Sequence, residues 1–104
     1  MARRIFTVTT PLGSRVFLTR DRWRQIIRSK HPALAGNEKE IRGCLESPTL
    51  VRESAKDADV HLHYAAAERG HLCVVTAPAD ENERFVVTAY FTTNIKKGTE
   101  LWRS

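Results

Sequence analysis

The stretch Glu83 to Thr93, Glu-Arg-Phe-Val-Val-Thr-Ala-Tyr-Phe-Thr-Thr, limits the fold more than any other in the chain. It is rich in β-branched and aromatic residues and holds neither Gly nor Pro, which is the signature of a strand. Side chains on a strand alternate between two faces. Phe85, Val87, Ala89 and Phe91 are therefore expected on one apolar face, which needs a hydrophobic partner such as a layer of helices. Arg84, Val86, Thr88, Tyr90 and Thr92 are expected on the other, which is mostly hydroxyl and cation. That second face suits a polar ligand, or is simply the wet side that antiparallel sheets commonly have.

The rest of the chain is read for the helices that the apolar face requires. Ile5 to Val8 and Ser14 to Leu18 are short β-prone runs joined by Pro11-Leu12-Gly13-Ser14, which predicts a small N-terminal hairpin. Thr19 caps a helix beginning at Arg20. Trp23, Ile26 and Ile27, extending to Lys30, share one face at helical spacing. His31-Pro32 ends it, because a residue before proline avoids the helical region. Asn37, with Glu40 three residues on, reads as a capping box opening a second helix with the stripe Ile41, Cys44, Leu45. Ser47-Pro48 stops it. Strands follow at Thr49 to Ser54, Val60 to Ala66, Leu72 to Thr76 and Arg84 to Thr93, with turns at Arg69-Gly70 and Pro78 to Asn82. Leu101 and Trp102 in the tail are expected to pack back on the body. The whole chain, 1–104, reads as one α+β domain: an antiparallel sheet of about four strands, two helices on one face and a small N-terminal hairpin.

Composition narrows the partners. Seventeen Lys and Arg against twelve Asp and Glu give a formal net charge of +5. This basic protein favours acidic partners such as nucleic acid. Cys44 and Cys73 form no Cys-x-x-Cys motif and lie in apolar segments, which suits a reducing compartment. No run of 18 apolar residues and no signal-peptide core occurs, so a cytoplasmic protein without a membrane partner is expected. Exposed edge strands of a small sheet leave a homodimer open.

No zinc-finger spacing, phosphate-binding Gly loop, nucleophile elbow or dinucleotide fingerprint is present. Three constellations remain. His31, where the first helix ends, is either a C-terminal cap favoured by the helix dipole or a general acid or base. His61 and His63 point to one face of a strand, with His71 on the next. No carboxylate or thiolate completes a metal set, so polar-face residues touching a phosphate are preferred and no cofactor or metal is expected. Arg52, Thr88, Tyr90 and Thr92, with Lys96 and Lys97 nearby in sequence, form the third group. Arg52 either pairs with Glu53, Asp57 or Asp59 or clamps a phosphate through its bidentate guanidinium.

Leu-Thr-Arg-Asp-Arg-Trp leads into Ile-Ile-Arg-Ser-Lys-His-Pro-Ala-Leu. Leu-Glu-Ser-Pro-Thr-Leu-Val-Arg-Glu-Ser, a His-Tyr strand and Phe-Val-Val-Thr-Ala-Tyr-Phe-Thr-Thr follow. This order of motifs, from about Leu18 to Trp102, resembles the phage and bacterial barnase–EndoU–colicin–RelE group of ribonuclease-like proteins. The Lys-His-Pro and Val-Thr-Ala-Tyr blocks are the more specific ones. The resemblance implies a small helix pair on an antiparallel sheet and a metal-independent hydrolase acting on RNA, toxin-like or phage-associated, with a cognate inhibitor protein as a second partner. The ribose 2′-hydroxyl would attack its own phosphate with acid–base assistance. The resemblance points to His31 as acid or base, Arg52 as phosphate clamp, and Thr88 and Tyr90 as polar contacts; His63 stands where the family has the first of an aromatic pair, a departure that either adds a proton-transfer group or has no role. Lys30, Tyr64, Thr92 and Lys96 would line the RNA path. The alternative is a non-catalytic RNA- or protein-binding module of the same fold.

Overall fold

The computed structural model describes residues 3–104, apart from the side chain of Lys30. The expected hairpin forms from β1 (Arg4–Thr9) and β2 (Arg15–Thr19). Gly13 takes φ +84° in its turn, a region that glycine enters without steric cost, and its N–H donates to the Thr10 carbonyl at 2.9 Å. Helix α1 (Arg20–Gln25) begins as read, with the Thr19 hydroxyl accepting from the Arg22 N–H at 3.2 Å. It continues into a π-helical turn, Ile26–Lys30, and then a 3-10 turn, Pro32–Leu34.

Helix α2 (Glu38–Glu46) follows Asn37, whose side chain makes no cap bond. The capping box therefore does not form. Asn37 sits at φ −99°, ψ 25°, outside the extended conformation that aims a capping side chain at the first free N–H groups. The stripe Ile41, Cys44, Leu45 is buried as expected. Strands β3 (Leu50–Ser54), β4 (His61–Ala67), β5 (Gly70–Pro78), β6 (Glu83–Thr92) and β7 (Gly98–Arg103) complete the chain.

The sheet differs from the four-stranded antiparallel expectation. It is a single mixed sheet of seven strands in the order β1-β2-β6-β5-β4-β3-β7. Two long-range pairings enlarge it, and neither leaves a local pattern in the sequence. First, β2 joins β6 in parallel through Arg15–Glu83, Val16–Arg84 and Phe17–Phe85. Arg4 and Glu83 fix this junction with two parallel bonds of 2.8 Å, and the Arg4 guanidinium lies 3.9 Å from the Phe17 ring centroid. Second, the tail becomes β7, antiparallel to β3. Gly98 permits this approach, since a Cβ there would collide with the Glu53 carbonyl oxygen.

The alternation expected along β6 is also broken. Val75 pairs with Thr88, but Thr76 pairs with Val86, so Val87 is an extra residue in a β-bulge. Val86 and Ala89, three apart, both reach the core, at 1% and 0% exposure. Phe85 and Val87 stay half-buried and Phe91 is 45% exposed.

Two apolar clusters lie on the two faces of the sheet. The helix side gathers Trp23, Ile26, Leu34, Ile41 and Leu45 with Val16, Leu18, Leu72, Val74, Val86 and Ala89. The other side holds Leu50, Leu62, Tyr64 and Cys73, with Val60, Val75, Tyr90 and Ile95 against them. On the helix side a polar network joins the strands. The His63 Nε2 and Thr76 Oγ1 are 3.0 Å apart, and Arg84 Nε donates to the same hydroxyl at 3.1 Å. Burial pushes the His63 imidazole down to about 3, with His61 and Arg84 adding to the effect, and lowers His61 to about 4.

These depressed values make the fold acid-sensitive. An unfolded histidine titrates near 6.5. The unfolded chain therefore binds protons that the folded chain refuses, and stability present above pH 6.5 is lost as pH falls toward the folded values. Between pH 6.5 and 5, His63 alone should cost up to about 2 kcal/mol. Urea unfolding of wild type at pH 7 and 5 should show the loss, and His63→Gln should flatten it. An equal pH dependence in both proteins would contradict this account.

Candidate functional site

The parallel β2–β6 pairing stops at Phe85, so β2 leaves the outer edge of β6 before Thr88 and Tyr90. Helix α1 packs on β2 and β6 at this place. The π turn follows, closed by the His31 N–H donating to the Ile26 carbonyl at 2.6 Å. Such turns concentrate at functional sites because they re-aim the residues that follow. His31 takes φ −140°, ψ 72°, as a residue before proline must avoid the helical region. Its ring lies 5.7 Å from that of Tyr90, tilted by 37°. His31 thus reaches Tyr90 of β6, while Arg52, expected beside it, is bonded to the Lys96 carbonyl, and neither residue lines the cleft that holds Thr88.

Tyr90 lines a cleft of about 470 Å³ on the face away from the helices. Leu62, Val75 and Val60 form its apolar walls, Thr88 and Tyr90 contribute from β6, and Lys56, Lys96 and Lys97 supply charge. Among the described residues lining it there is no carboxylate. The volume is in the range of small-ligand pockets. The Lys96 ammonium sits 5.5 Å from the Tyr90 ring centroid, a cation–π distance.

The cleft contains polar atoms without partners. Thr88 Oγ1 and the Tyr90 hydroxyl are buried and make no hydrogen bond. Burial, with the neighbouring Cys73 thiol, drives the Tyr90 hydroxyl well above the ordinary tyrosine range, so it stays protonated at neutral pH. Buried hydroxyls are normally satisfied, so an unpaired one calls for an explanation.

The other sequence candidates have different places. Arg52 does not line the cleft; its Nη1 donates to the Lys96 carbonyl at 3.0 Å, and its Nε is buried without a partner. Tyr64 is fully buried, and its hydroxyl accepts from the Lys96 N–H at 3.0 Å. Thr92 is occupied locally, donating to the Asn94 carbonyl at 3.0 Å and accepting from the Asn94 N–H at 3.1 Å. His63 is 1% exposed and lies on the helix side, between Leu62 and Tyr64 of the opposite face, so it does not join the cleft. His71 pairs across from Thr92, with its ring 6.2 Å from Tyr64, and is separated by the sheet from His61 and His63. Among the described residues, no three His, Cys, Asp or Glu side chains gather closely enough to hold a metal ion. The side chain of Lys30 lies outside the described residues. Sequence reasoning overlooked Lys56, which sits in an ordinary polar turn and carries no distinguishing local signal.

No helix in the described residues is long and apolar enough to cross a membrane. No family model, no curated protein and no solved structure matches this chain. The motif resemblance therefore stands on the short sequence blocks alone.

The two tyrosines should respond differently to loss of their hydroxyls. Tyr90→Phe removes an unpaired buried group and should leave stability unchanged or raise it by about 1 kcal/mol. Tyr64→Phe removes the hydrogen bond that the tyrosine hydroxyl accepts from the Lys96 N–H and should cost about 1 kcal/mol. Urea unfolding of both variants checks the contrast, and a Tyr90→Phe loss as large as that of Tyr64→Phe would refute it.

Proposed function

We propose that the cleft binds RNA and that the protein is a metal-independent ribonuclease of toxin-like or phage-associated type. The observation that carries this reading is His31 standing against Tyr90 beside a lysine-lined cleft free of described carboxylates. An ammonium-rimmed cleft repels nothing in a phosphodiester backbone and stabilises charge that develops on it. The motif order in the sequence supports the same reading.

In the proposed reaction His31 accepts the proton of a ribose 2′-hydroxyl. The 2′-oxygen forms a bond to the adjacent phosphorus, and the bond from phosphorus to the 5′-oxygen breaks. The products are a 2′,3′-cyclic phosphate and a 5′-hydroxyl, the latter taking its proton from water or from the protonated imidazole. Lys96 and Lys97 face the charge that grows on the non-bridging oxygens.

A non-catalytic RNA-binding module is the second reading. It is favoured by the burial of His63 on the opposite face, which leaves His31 without the second imidazole that the sequence offered.

Incubation with single-stranded RNA in the presence of a chelator separates the two. A ribonuclease should release 2′,3′-cyclic phosphate ends, and His31→Ala should slow this by about 100-fold or more. Salt-sensitive binding without cleavage, with a slope of about −0.7 per phosphate contacted, would select the binding module. Neither binding nor cleavage would overturn both readings.

A further inference from the structure

The segment Thr93 to Lys97 joins β6 to β7 at the far edge of the sheet, and its Ile95 packs on the face away from the helices. Three kinds of anchor hold it. Its start is turned by the Thr92–Asn94 bonds. Its middle is pinned by Ile95, which packs on the Leu50, Leu62, Tyr64 and Cys73 cluster. Its end is gripped at Lys96, where both polar groups of the backbone are taken by side chains from different strands. The N–H donates to the Tyr64 hydroxyl of β4 and the carbonyl accepts from Arg52 of β3, each at 3.0 Å.

Backbone N–H and C=O groups of an exposed segment are satisfied by water at no structural expense. A buried tyrosine and a half-buried arginine committed to one exposed lysine indicate that the placement of that lysine matters. The Lys96 side chain leaves this clamp to lie over the Tyr90 ring in the cleft. We infer that Arg52 and Tyr64 are positioning residues that hold the strap so that Lys96, and not Arg52, is the cation meeting a phosphate. The inference rests on the RNA reading of the cleft for its ligand, while the clamp itself is independent of it. Arg52 has one guanidinium nitrogen on a carbonyl and another buried, so it presents a poor bidentate fork to a ligand. A flexible lysine held at its backbone keeps three donors free.

The test is binding of an uncleavable 2′-O-methyl oligouridylate to the full chain, followed by fluorescence anisotropy across a salt series. Lys96→Ala and Tyr64→Phe should each weaken binding by about 3- to 10-fold and lower the salt slope by about 0.7, although Tyr64→Phe removes no charge. In the double variant the second change should add less than about twofold, since both act through one contact. Arg52→Ala combined with Lys96→Ala should be equally non-additive. Losses that multiply, or Tyr64→Phe binding like wild type, would overturn the inference while leaving the RNA reading intact. If wild type binds no oligonucleotide, the RNA reading fails, and the clamp is judged by NMR. The Lys96 side-chain protons should carry an upfield shift from the Tyr90 ring that disappears in Tyr64→Phe. An unchanged shift would overturn the positioning role on its own terms.

Discussion

The short parallel pairing of β2 with β6 is the constraint on which the rest of the arrangement depends. Three residue pairs, braced by the two hydrogen bonds that Arg4 donates to Glu83, attach the hairpin to the sheet. The Arg4 hydrogen bonds hold the Glu83 carboxyl below the ordinary carboxylate range, so the pair stays ionised through neutral pH. Because the pairing is short, the hairpin leaves the edge of β6 beyond Phe85, and the helical segment after β2 runs beside that edge. A longer ladder would have covered it. The π turn and the proline that follows then deliver His31 to Tyr90.

The Val87 bulge acts with this junction. It shifts the alternation of β6 by one residue, so that Val86 and Ala89 fill the helix-side core while Thr88 and Tyr90 remain together on the other face. Bulges recur near sheet edges and next to functional sites, where they re-aim side chains. The same sheet thus carries a packed apolar layer on one side and a cationic cleft on the other. Within the cleft, apolar walls lower the local dielectric, which strengthens the attraction between the lysine rim and an anion. The unpaired Thr88 and Tyr90 hydroxyls are a cost that the fold carries in that same place.

Local chemistry made much of this legible. The Thr19 cap, the proline stops after His31 and Ser47, the two helix stripes and six of the seven strands follow from nearest-neighbour preferences. What stayed hidden depends on distant partners. Nothing near Val16 says that it pairs with Arg84, and nothing in Gly98 to Arg103 says that it lies beside β3. A strict two-residue period could not anticipate the extra residue at Val87. Of the site, Thr88, Tyr90 and Lys96 line one cleft, and His31 touches it only through the Tyr90 ring. Arg52 and Tyr64 are close to the cleft but are turned to the Lys96 backbone, and His63 is on the wrong face. Strand alternation says that His61 and His63 share a face, not which face the helices cover.

The central functional claim is that a phosphodiester chain occupies the cleft next to the imidazole that follows the π turn. Chemical-shift mapping with a 2′-O-methyl oligonucleotide measures this directly. Resonances of His31, Thr88, Tyr90 and Lys96 should move together and saturate with one affinity. Shifts confined to the arginine-rich surface of α1, with these four residues unmoved, would contradict it.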